Sequence, residues 1–176
     1  MIRHGGAARI CGLVMAAAAL FGCADKAPPE GQPSFYQDLA GSASTLDAAA
    51  AQSMISGYRH NNGLDAVTLD PELMRLANEQ ASAMAEAGKL DHAVAHPFQE
   101  RIRKSHFGAG VAVENIGAGY HTLAEAFSGW RDSPPHRANM LNASVTRMGI
   151  AAVYTPKSKY KVFWALILAA PDERHG

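Results

Sequence analysis

The amino-acid sequence predicts an α+β domain in which helices cover both faces of a mainly antiparallel sheet. Helix-type apolar spacing dominates the middle of the chain, and two strand-type segments joined by a hairpin close it. The last strand, residues 162–169, is apolar on both faces, which is typical of a central strand between two helical layers. A chain of 176 residues with 48% hydrophobic content has the size of one domain.

Two long helices are predicted first. The first has an apolar residue at every fourth position, namely Leu46, Ala50, Met54 and Tyr58. It ends at the turn 61–63. The second begins at Asp70-Pro71, where aspartate can cap the helix and proline suits its first turn. Its apolar stripe runs from Leu73 to Ala85 and stops at Gly88.

Shorter elements follow. His96-Pro97 predicts the start of a third helix that includes Phe98, Arg101 and Ile102, and residues 111–116 are expected to be extended. Thr122 and Glu125 form a capping-box pattern ahead of a fourth helix. Ser133-Pro134 predicts the N-cap and first turn of a fifth helix. The closing strands are residues 148–154 and 162–169, with a hairpin loop at 156–159.

Residues 1–22 have the features of an export signal. Arg3 and Arg9 flank a short apolar run, residues 10–22, that is too short to span a bilayer. The run ends in Leu20-Phe21-Gly22-Cys23, which resembles the lipobox of bacterial lipoproteins. That resemblance implies cleavage before Cys23 and its acylation with palmitate-type chains, which anchors a protein to the membrane. The alternative is ordinary signal cleavage that leaves Cys23 as a free thiol.

Residues 23–44 are predicted to be the lipidated cysteine and a flexible tether, and residues 45–172 the domain. The tether contains Pro28, Pro29, Gly31 and Pro33 among small and polar residues. By resemblance to Gram-negative lipoproteins, Ala24 in place of an aspartate implies an outer-membrane anchor. We therefore expect a protein of the bacterial cell envelope that faces the periplasm.

Charge and cysteine content restrict the partners and the source of stability. Cleavage removes Arg3 and Arg9 but no acidic residue, leaving 14 basic against 16 acidic side chains. This balance does not favour nucleic acid or anionic surfaces. Cys11 is lost with the signal, so the mature chain cannot form an internal disulfide and must be stabilised by packing. We expect a monomer.

The chemistry-bearing candidates are histidines and carboxylates, because the sequence has no phosphate-binding glycine loop, serine elbow, CxxC pair or HExxH motif. Several segments resemble bacterial CAP (SCP/PR-1-like) domains, in matching order over about residues 47–170. These segments are Ile55-Ser56-Gly57-Tyr58-Arg59, Gly63-Leu64, residues 73–92, Glu114-Asn115-Ile116-Gly117, residues 130–140 and Met148-Gly149-Ile150. The resemblance implies a three-layer α-β-α sandwich with a cleft formed partly by the Glu114 strand, and it places His92, Glu114 and His136 together.

Three roles are open for His92, Glu114 and His136. Two imidazoles and one carboxylate can bind a divalent metal such as zinc with positions left for water. Without metal, a histidine oriented by the glutamate can act as a general base. The third alternative is a buried polar network that only ties the loops to the sheet.

Neighbouring residues are weaker candidates. CAP sites usually have a second glutamate after the tryptophan helix, where this chain has Asp132 and Ser133. Glu125 is an alternative, although its capping box explains it locally. Asn115 should face away from Glu114 and bond to backbone, and Arg137 is expected to pair with a carboxylate. Trp130 and Trp164 are assigned to packing.

The resemblance leads to one principal function and two alternatives. The principal one is a lipid-anchored module whose cleft binds an envelope lipid or a glycan such as peptidoglycan. The first alternative is a metal- or histidine-dependent hydrolase of peptide or cell-wall bonds, which lacks an evident nucleophile. The second is a scaffold for other envelope proteins.

Overall fold

The structure is a computed structural model that describes residues 1–2 and 31–172. Most of the predicted signal, Cys23 and the first part of the predicted tether lie outside the described residues, so lipidation of Cys23 stays a prediction. Within the described ranges, no helix combines the length and the apolar character needed to cross a bilayer.

The described chain contains a short 3₁₀ turn, five α-helices and four β-strands. They are, in order, the turn Ser34–Tyr36, α1 (Ala48–His60), β1 (Thr68–Leu69), α2 (Pro71–Ala87), α3 (Phe98–Lys104), β2 (Ala109–Ala118), α4 (Leu123–Asp132), α5 (Pro134–Met140), β3 (Arg147–Tyr154) and β4 (Val162–Pro171). The five predicted helices and three predicted strands are confirmed. The two-residue strand β1 was not predicted, because two residues are too few to show an alternating pattern.

The strands form one sheet in the order β1-β3-β4-β2. Strand β4 pairs antiparallel with both β2 and β3, and β1 pairs parallel with β3. Residues 162–169 of β4 are all buried, which confirms the prediction of a central strand. The mainly antiparallel sheet of the predicted α-β-α sandwich is therefore present.

Strand β4 divides the core into two halves. Val162, Trp164, Leu166 and Leu168 belong to the half that includes residues of α1, α4 and α5. The alternate residues Phe163, Ala165, Ile167 and Ala169 belong to the half that includes residues of α2 and α3. Because successive side chains of a strand point to opposite faces, this alternation shows helices packed on both sides of the sheet. The three-layer prediction is confirmed.

The helix ends follow the predicted signals with one exception. Asp70 Oδ1 accepts hydrogen bonds from the backbone N–H groups of Glu72 and Leu73, and Gly88 ends α2 in the left-handed conformation at φ 62°. Thr122 and Glu125 form the complete capping box of α4. Ser133 occupies the N-cap position of α5, but its side chain makes no capping hydrogen bond. Pro134 therefore marks the start of α5 without a serine cap.

Helix α1 is turned by one residue relative to the predicted stripe. Its fully buried residues are Ala51, Ile55 and Arg59, whereas Met54 and Tyr58 are only half-buried. The apolar pattern does not predict this buried face, because one of its three residues, Arg59, is charged. Its guanidinium donates to the carbonyls of Asp65, Met140, Asn142 and Val145 at 2.8, 2.8, 2.8 and 3.1 Å, and so ties α1 to the segment around the end of α5.

The last part of the predicted tether packs against the domain. Leu39 is 5% exposed, and its N–H donates to the carbonyl of His121 at 2.7 Å. Phe35 packs on the α1/α4 half of the core, and the Ser34 hydroxyl donates to Asp47 Oδ2 at 2.7 Å. Residues 34–40 are thus held by the domain, which differs from the free tether expected up to residue 44.

Candidate functional site

The site is built on the edge strand β2, where Glu114 faces the α3 side of the sheet. The Glu114 side chain is only 1% exposed, whereas the His92 side chain is 50% exposed. His92 Nδ1–H donates to Glu114 Oε1 at 2.8 Å. A buried carboxylate thereby orients an imidazole that remains open to solvent.

Arg101 completes this group from helix α3. Its Nη2 donates to Glu114 Oε2 at 2.7 Å and to Glu114 Oε1 at 3.0 Å. The same nitrogen reaches the His92 carbonyl at 3.2 Å, and Nε donates to the His96 carbonyl at 3.2 Å. Arg101 therefore fixes both the carboxylate and the loop that carries His92. We call His92, Glu114 and Arg101 the His92 centre.

The sequence predicts Arg101 only as part of the third helix and not as a site residue. One signal could have found it: Arg101 lies beside Phe98 and Ile102 on the apolar side of α3, where a charged residue is unexpected. An arginine is almost never buried without partners. Its 8% exposure in the structure accordingly comes with a buried carboxylate.

His136 approaches from the other helical layer. Asn115, the residue after Glu114, points to the α5 side, and its Nδ2 donates to the His136 carbonyl at 2.9 Å. Asn139 Nδ2 donates to Asn115 Oδ1 at 2.8 Å and to the Glu114 carbonyl at 3.2 Å. These bonds attach α5 to the edge strand, and they confirm that Asn115 bonds to backbone.

The electrostatic surroundings of His136 favour its neutral form. Burial lowers the pKa of His136 below its ordinary value, and the nearby charge of His92 lowers it further. No hydrogen bond in the described part of the chain joins the His136 side chain to His92 or Glu114; the link between them is the bond from Asn115 Nδ2 to the His136 carbonyl. His136 is half-buried, so its side chain keeps some access to solvent.

None of the three weaker candidates, Glu125, Asp132 and Ser133, forms a hydrogen bond or ion pair with a residue of the His92 centre. Glu125 Oε2 accepts from the backbone N–H groups of His121 and Thr122 at 2.6 and 3.1 Å, so it is a helix cap. Asp132 is exposed and pairs with Arg131, which lowers the pKa of the Asp132 carboxyl. Ser133 is half-buried at the start of α5, and its side chain makes no capping hydrogen bond.

Two further expectations concern neighbouring side chains. Arg137 Nη1 donates to the Arg131 carbonyl at 3.3 Å rather than to a carboxylate, so the pairing expected for it is replaced by a backbone contact. Trp130 and Trp164 are 1% and 0% exposed, and their ring planes cross at 87°. Their assignment to packing is confirmed.

The donor set of the His92 centre does not fit a divalent metal. Both oxygens of Glu114 already accept hydrogen bonds from Arg101, and Oε1 also accepts one from His92. Within residues 1–2 and 31–172, no group of three or more His, Cys, Asp or Glu side chains is arranged to hold a metal ion. The geometry thus gives no support to the predicted ligand set His92, Glu114 and His136, because a guanidinium occupies the carboxylate.

The arrangement has a clear chemical capacity without metal. When His92 is neutral and its Nδ1 carries the proton toward Glu114, its Nε2 is a hydrogen-bond acceptor. That acceptor lies on an imidazole open to solvent, and the neutral form of His136 offers a second one nearby. The centre can therefore accept hydroxyl or amide protons from a ligand, or take a proton from a water molecule.

Four cavities of the described chain have no wall formed by this centre. Their volumes lie between 260 and 610 Å³, and none of the four is lined by His92, Glu114 or His136. The largest of the four lies between the 34–36 turn and α1. The imidazole of His92 is thus presented on an open surface and not at the end of one of these cavities.

Comparison with known proteins identifies the relatives of this chain. The family model described as the cysteine-rich secretory protein family, CAP, matches residues 52–168. An uncharacterized protein of Bacillus subtilis, YkwD, is 26% identical over 133 residues, which are 74% of this chain and 51% of that protein. The chain therefore spans about half the length of this curated relative.

Solved structures show the same fold. An outer surface protein of Borrelia burgdorferi matches with a TM-score of 0.64 and 19% identity, over 73% of this chain and 98% of that one. An extracellular protein with an SCP domain from Bacillus anthracis matches with a TM-score of 0.60 and 21% identity, over 69% of this chain and 39% of that one. The family model covers well over half of the 176 residues, so the chain belongs to the cysteine-rich secretory protein (CAP) family.

Proposed function

We propose that this chain is an exported bacterial CAP-domain protein whose His92 centre binds a hydroxyl-rich ligand of the cell envelope. The observation that carries the proposal is the exposed His92 imidazole, oriented at 2.8 Å by a carboxylate that is itself 1% exposed. An imidazole in a fixed orientation costs little entropy when it forms a hydrogen bond with a ligand, and this favours recognition.

A glycan suits the open surface better than a lipid tail. Acyl chains bind in enclosed apolar cavities, whereas the His92 side chain is 50% exposed and none of the four cavities described above is lined by His92 or His136. Sugar hydroxyls donate hydrogen bonds, and an imidazole ring nitrogen that carries no proton accepts them. We therefore favour an envelope glycan such as peptidoglycan over a lipid.

Co-sedimentation with purified peptidoglycan tests this proposal. The chain from residue 31 onward should sediment with the glycan, and His92→Ala should lose about 10-fold or more in affinity, because a well-placed hydrogen bond contributes about 1.5 kcal/mol. His60→Ala is the matched control, since His60 is exposed at the end of α1, outside the His92 centre. Binding to lipid vesicles but not to glycan would favour a lipid ligand instead. Equal affinities of His92→Ala and His60→Ala for peptidoglycan would show that His92 does not take part in binding.

A histidine-dependent hydrolase is the second candidate function. The hydrogen bond from His92 Nδ1 to Glu114 is the arrangement that orients a histidine as a general base. Incubation with peptidoglycan and with peptides, followed by mass spectrometry of the soluble fraction, separates the candidates. New products that disappear in His92→Ala would establish a catalyst, whereas binding without products would leave a receptor.

We propose that the protein is anchored to the bacterial outer membrane by lipids on Cys23. The support is the lipobox-like segment Leu20-Phe21-Gly22-Cys23, together with the names of two structural relatives, one an outer surface protein and one extracellular. Palmitate labelling followed by membrane fractionation tests it. Cys23→Ala should release the protein from the membrane fraction and abolish labelling. A labelled or membrane-bound Cys23→Ala variant would refute acylation at this residue.

A further inference from the structure

We propose that Arg101 is the built-in cation of the His92 centre and that it excludes divalent metal ions from Glu114. The guanidinium thus makes this a metal-free centre. This inference concerns the proposed binding site but does not depend on the ligand or on any catalysis.

The first step is the geometry of the carboxylate. Arg101 Nη2 lies 2.7 Å from Glu114 Oε2 and 3.0 Å from Oε1, so one nitrogen spans both oxygens. His92 Nδ1 occupies Oε1 from another direction at 2.8 Å. A metal ion binds a carboxylate through the same oxygen lone pairs, and therefore has to displace Arg101, His92 or both.

The second step is burial. The side chains of Arg101 and Glu114 are 7% and 1% exposed, so solvent screens their charges only weakly. If a metal ion displaced it from Glu114, the guanidinium would be a buried charge without a partner, which is strongly unfavourable. It would also be repelled by the divalent cation beside it. Arginine cannot escape by losing its proton, because it stays charged in proteins.

The third step is the supply of negative charge. Asp91, the acid next to His92 in the sequence, pairs with Lys89 at 2.6 Å and accepts from the Ala93 N–H at 2.9 Å. No other carboxylate in the described part of the chain forms a hydrogen bond or ion pair with Glu114 or Arg101. Glu114 and Arg101 therefore balance each other, and no negative charge is left to hold an added cation.

Comparison with Arg59 shows that the placement of Arg101 is specific. Both guanidinium groups are buried, but Arg59 donates only to backbone carbonyls and serves to join segments. Arg101 instead donates to the carboxylate that orients the exposed His92 imidazole. Its position accordingly determines which ions the centre accepts.

Zinc titration by calorimetry, with thermal melts alongside, tests the inference on the chain from residue 31 onward. The wild-type protein should show no zinc binding that depends on His92 or Glu114. Arg101→Ala should leave the Glu114 carboxylate free to bind a cation, and should bind zinc at least about 10-fold more tightly than the wild type. Groups that surround metal ligands change metal affinity by a similar factor. Its melting temperature should rise with zinc by several degrees more than that of the wild type.

Two variants control for the loss of the side chain and of its charge. Arg101→Lys keeps a cation beside Glu114 and should still exclude zinc, and Arg103→Ala removes an exposed arginine on the same helix and should behave as the wild type. The wild-type measurement stands even if Arg101→Ala does not fold. Stoichiometric zinc binding by the wild type that disappears in His92→Ala and Glu114→Gln would overturn the proposal. A folded Arg101→Ala variant without added affinity for zinc would also overturn it.

Discussion

At the scale of single residues, the Glu114–Arg101 ion pair is the feature on which the centre depends. A buried ion pair contributes little net stability compared with apolar residues, because both charges lose their hydration. Removal of one partner is different, since the other charge is left buried without compensation. The effect of this pair on stability is therefore expected to be large only in a variant that changes one partner and keeps the other.

We predict that Glu114→Gln lowers the free energy of unfolding by about 3 kcal/mol or more, because Arg101 is left as an uncompensated buried charge. Urea unfolding at neutral pH measures the change. Asp132→Asn is the contrasting variant, since it removes an exposed partner of Arg131 and should leave the unfolding curve unchanged. Similar losses in the two variants would show that burial is not what makes Glu114 important.

His136 predicts a dependence of stability on pH. Its pKa is lowered in the folded state, mainly by burial, whereas the unfolded chain has the ordinary value of about 6.5. The unfolded state therefore binds a proton more readily, and stability from this group is present above pH 6.5 and lost as the pH falls through the folded-state pKa. His136→Gln has no such group, so its stability should decrease less than that of the wild type between about pH 8 and pH 5. Parallel curves for the two proteins, from urea unfolding at each pH, would contradict the shift.

At the scale of elements, the contact between β3 and α2 holds one helical layer on the sheet. A Cβ atom on Gly149 would lie 2.1 Å from the carbonyl carbon of Leu73 and 2.4 Å from the Met74 nitrogen. These neighbours are backbone atoms of a helix, so they cannot move aside individually. The glycine in β3 therefore permits the close approach of strand and helix.

Gly149→Ala should lower the free energy of unfolding by about 3 kcal/mol or more, because the helix has to move away from the strand. Gly57→Ala is the matched variant in α1, where an added Cβ meets nothing within 4 Å. It should raise stability by about 0.5 to 1 kcal/mol, since alanine is the better helix former. Thermal melts of the two variants should thus shift in opposite directions. A neutral Gly149→Ala would show that α2 is less tightly packed than the distances imply.

The sequence was sufficient to predict most elements, because their signals are local. Asp70-Pro71, the Thr122–Glu125 capping box and the apolar run 162–169 each determine structure within a few residues. The buried face of α1 could not be predicted in this way, since it includes Arg59. That side chain is satisfied by carbonyls about 80 positions away, such as that of Met140, and such contacts exist only after folding.

The candidate site was predictable only in part for the same reason. The motifs around Glu114 and His136 identified these residues by resemblance, and the structure joins His92 directly to Glu114. The apolar side of α3 makes Arg101 unusual, but no local pattern shows which carboxylate a helical arginine will meet. Its partner became evident only from the packing of α3 against β2.

At the scale of the whole molecule, the site lies where two helical layers meet at the edge strand β2. Glu114 and Asn115 are adjacent but face opposite layers, so one pair of residues connects His92 on the α3 side to His136 on the α5 side. The N-terminal segment is a second connection, since Leu39 donates its N–H to His121 ahead of α4. Within the described residues, the packed part of this segment thus begins at Ser34.

The packed N-terminal segment leads to a prediction about where the folded unit begins. A chain that starts at residue 31 should be more stable than one that starts at residue 45, because the shorter chain loses the burial of Leu39, which contributes about 2 kcal/mol. It also loses the Ser34 hydrogen bond to Asp47, the N-cap of α1. The backbone N–H of Ala50 and, secondly, the Ser34 hydroxyl keep the pKa of the Asp47 carboxyl below its ordinary value. Leu39→Ala in the longer chain should reproduce a large share of the loss, and thermal melts of the three proteins measure it. Equal melting temperatures for the two lengths would show that the segment rests on the domain without stabilising it.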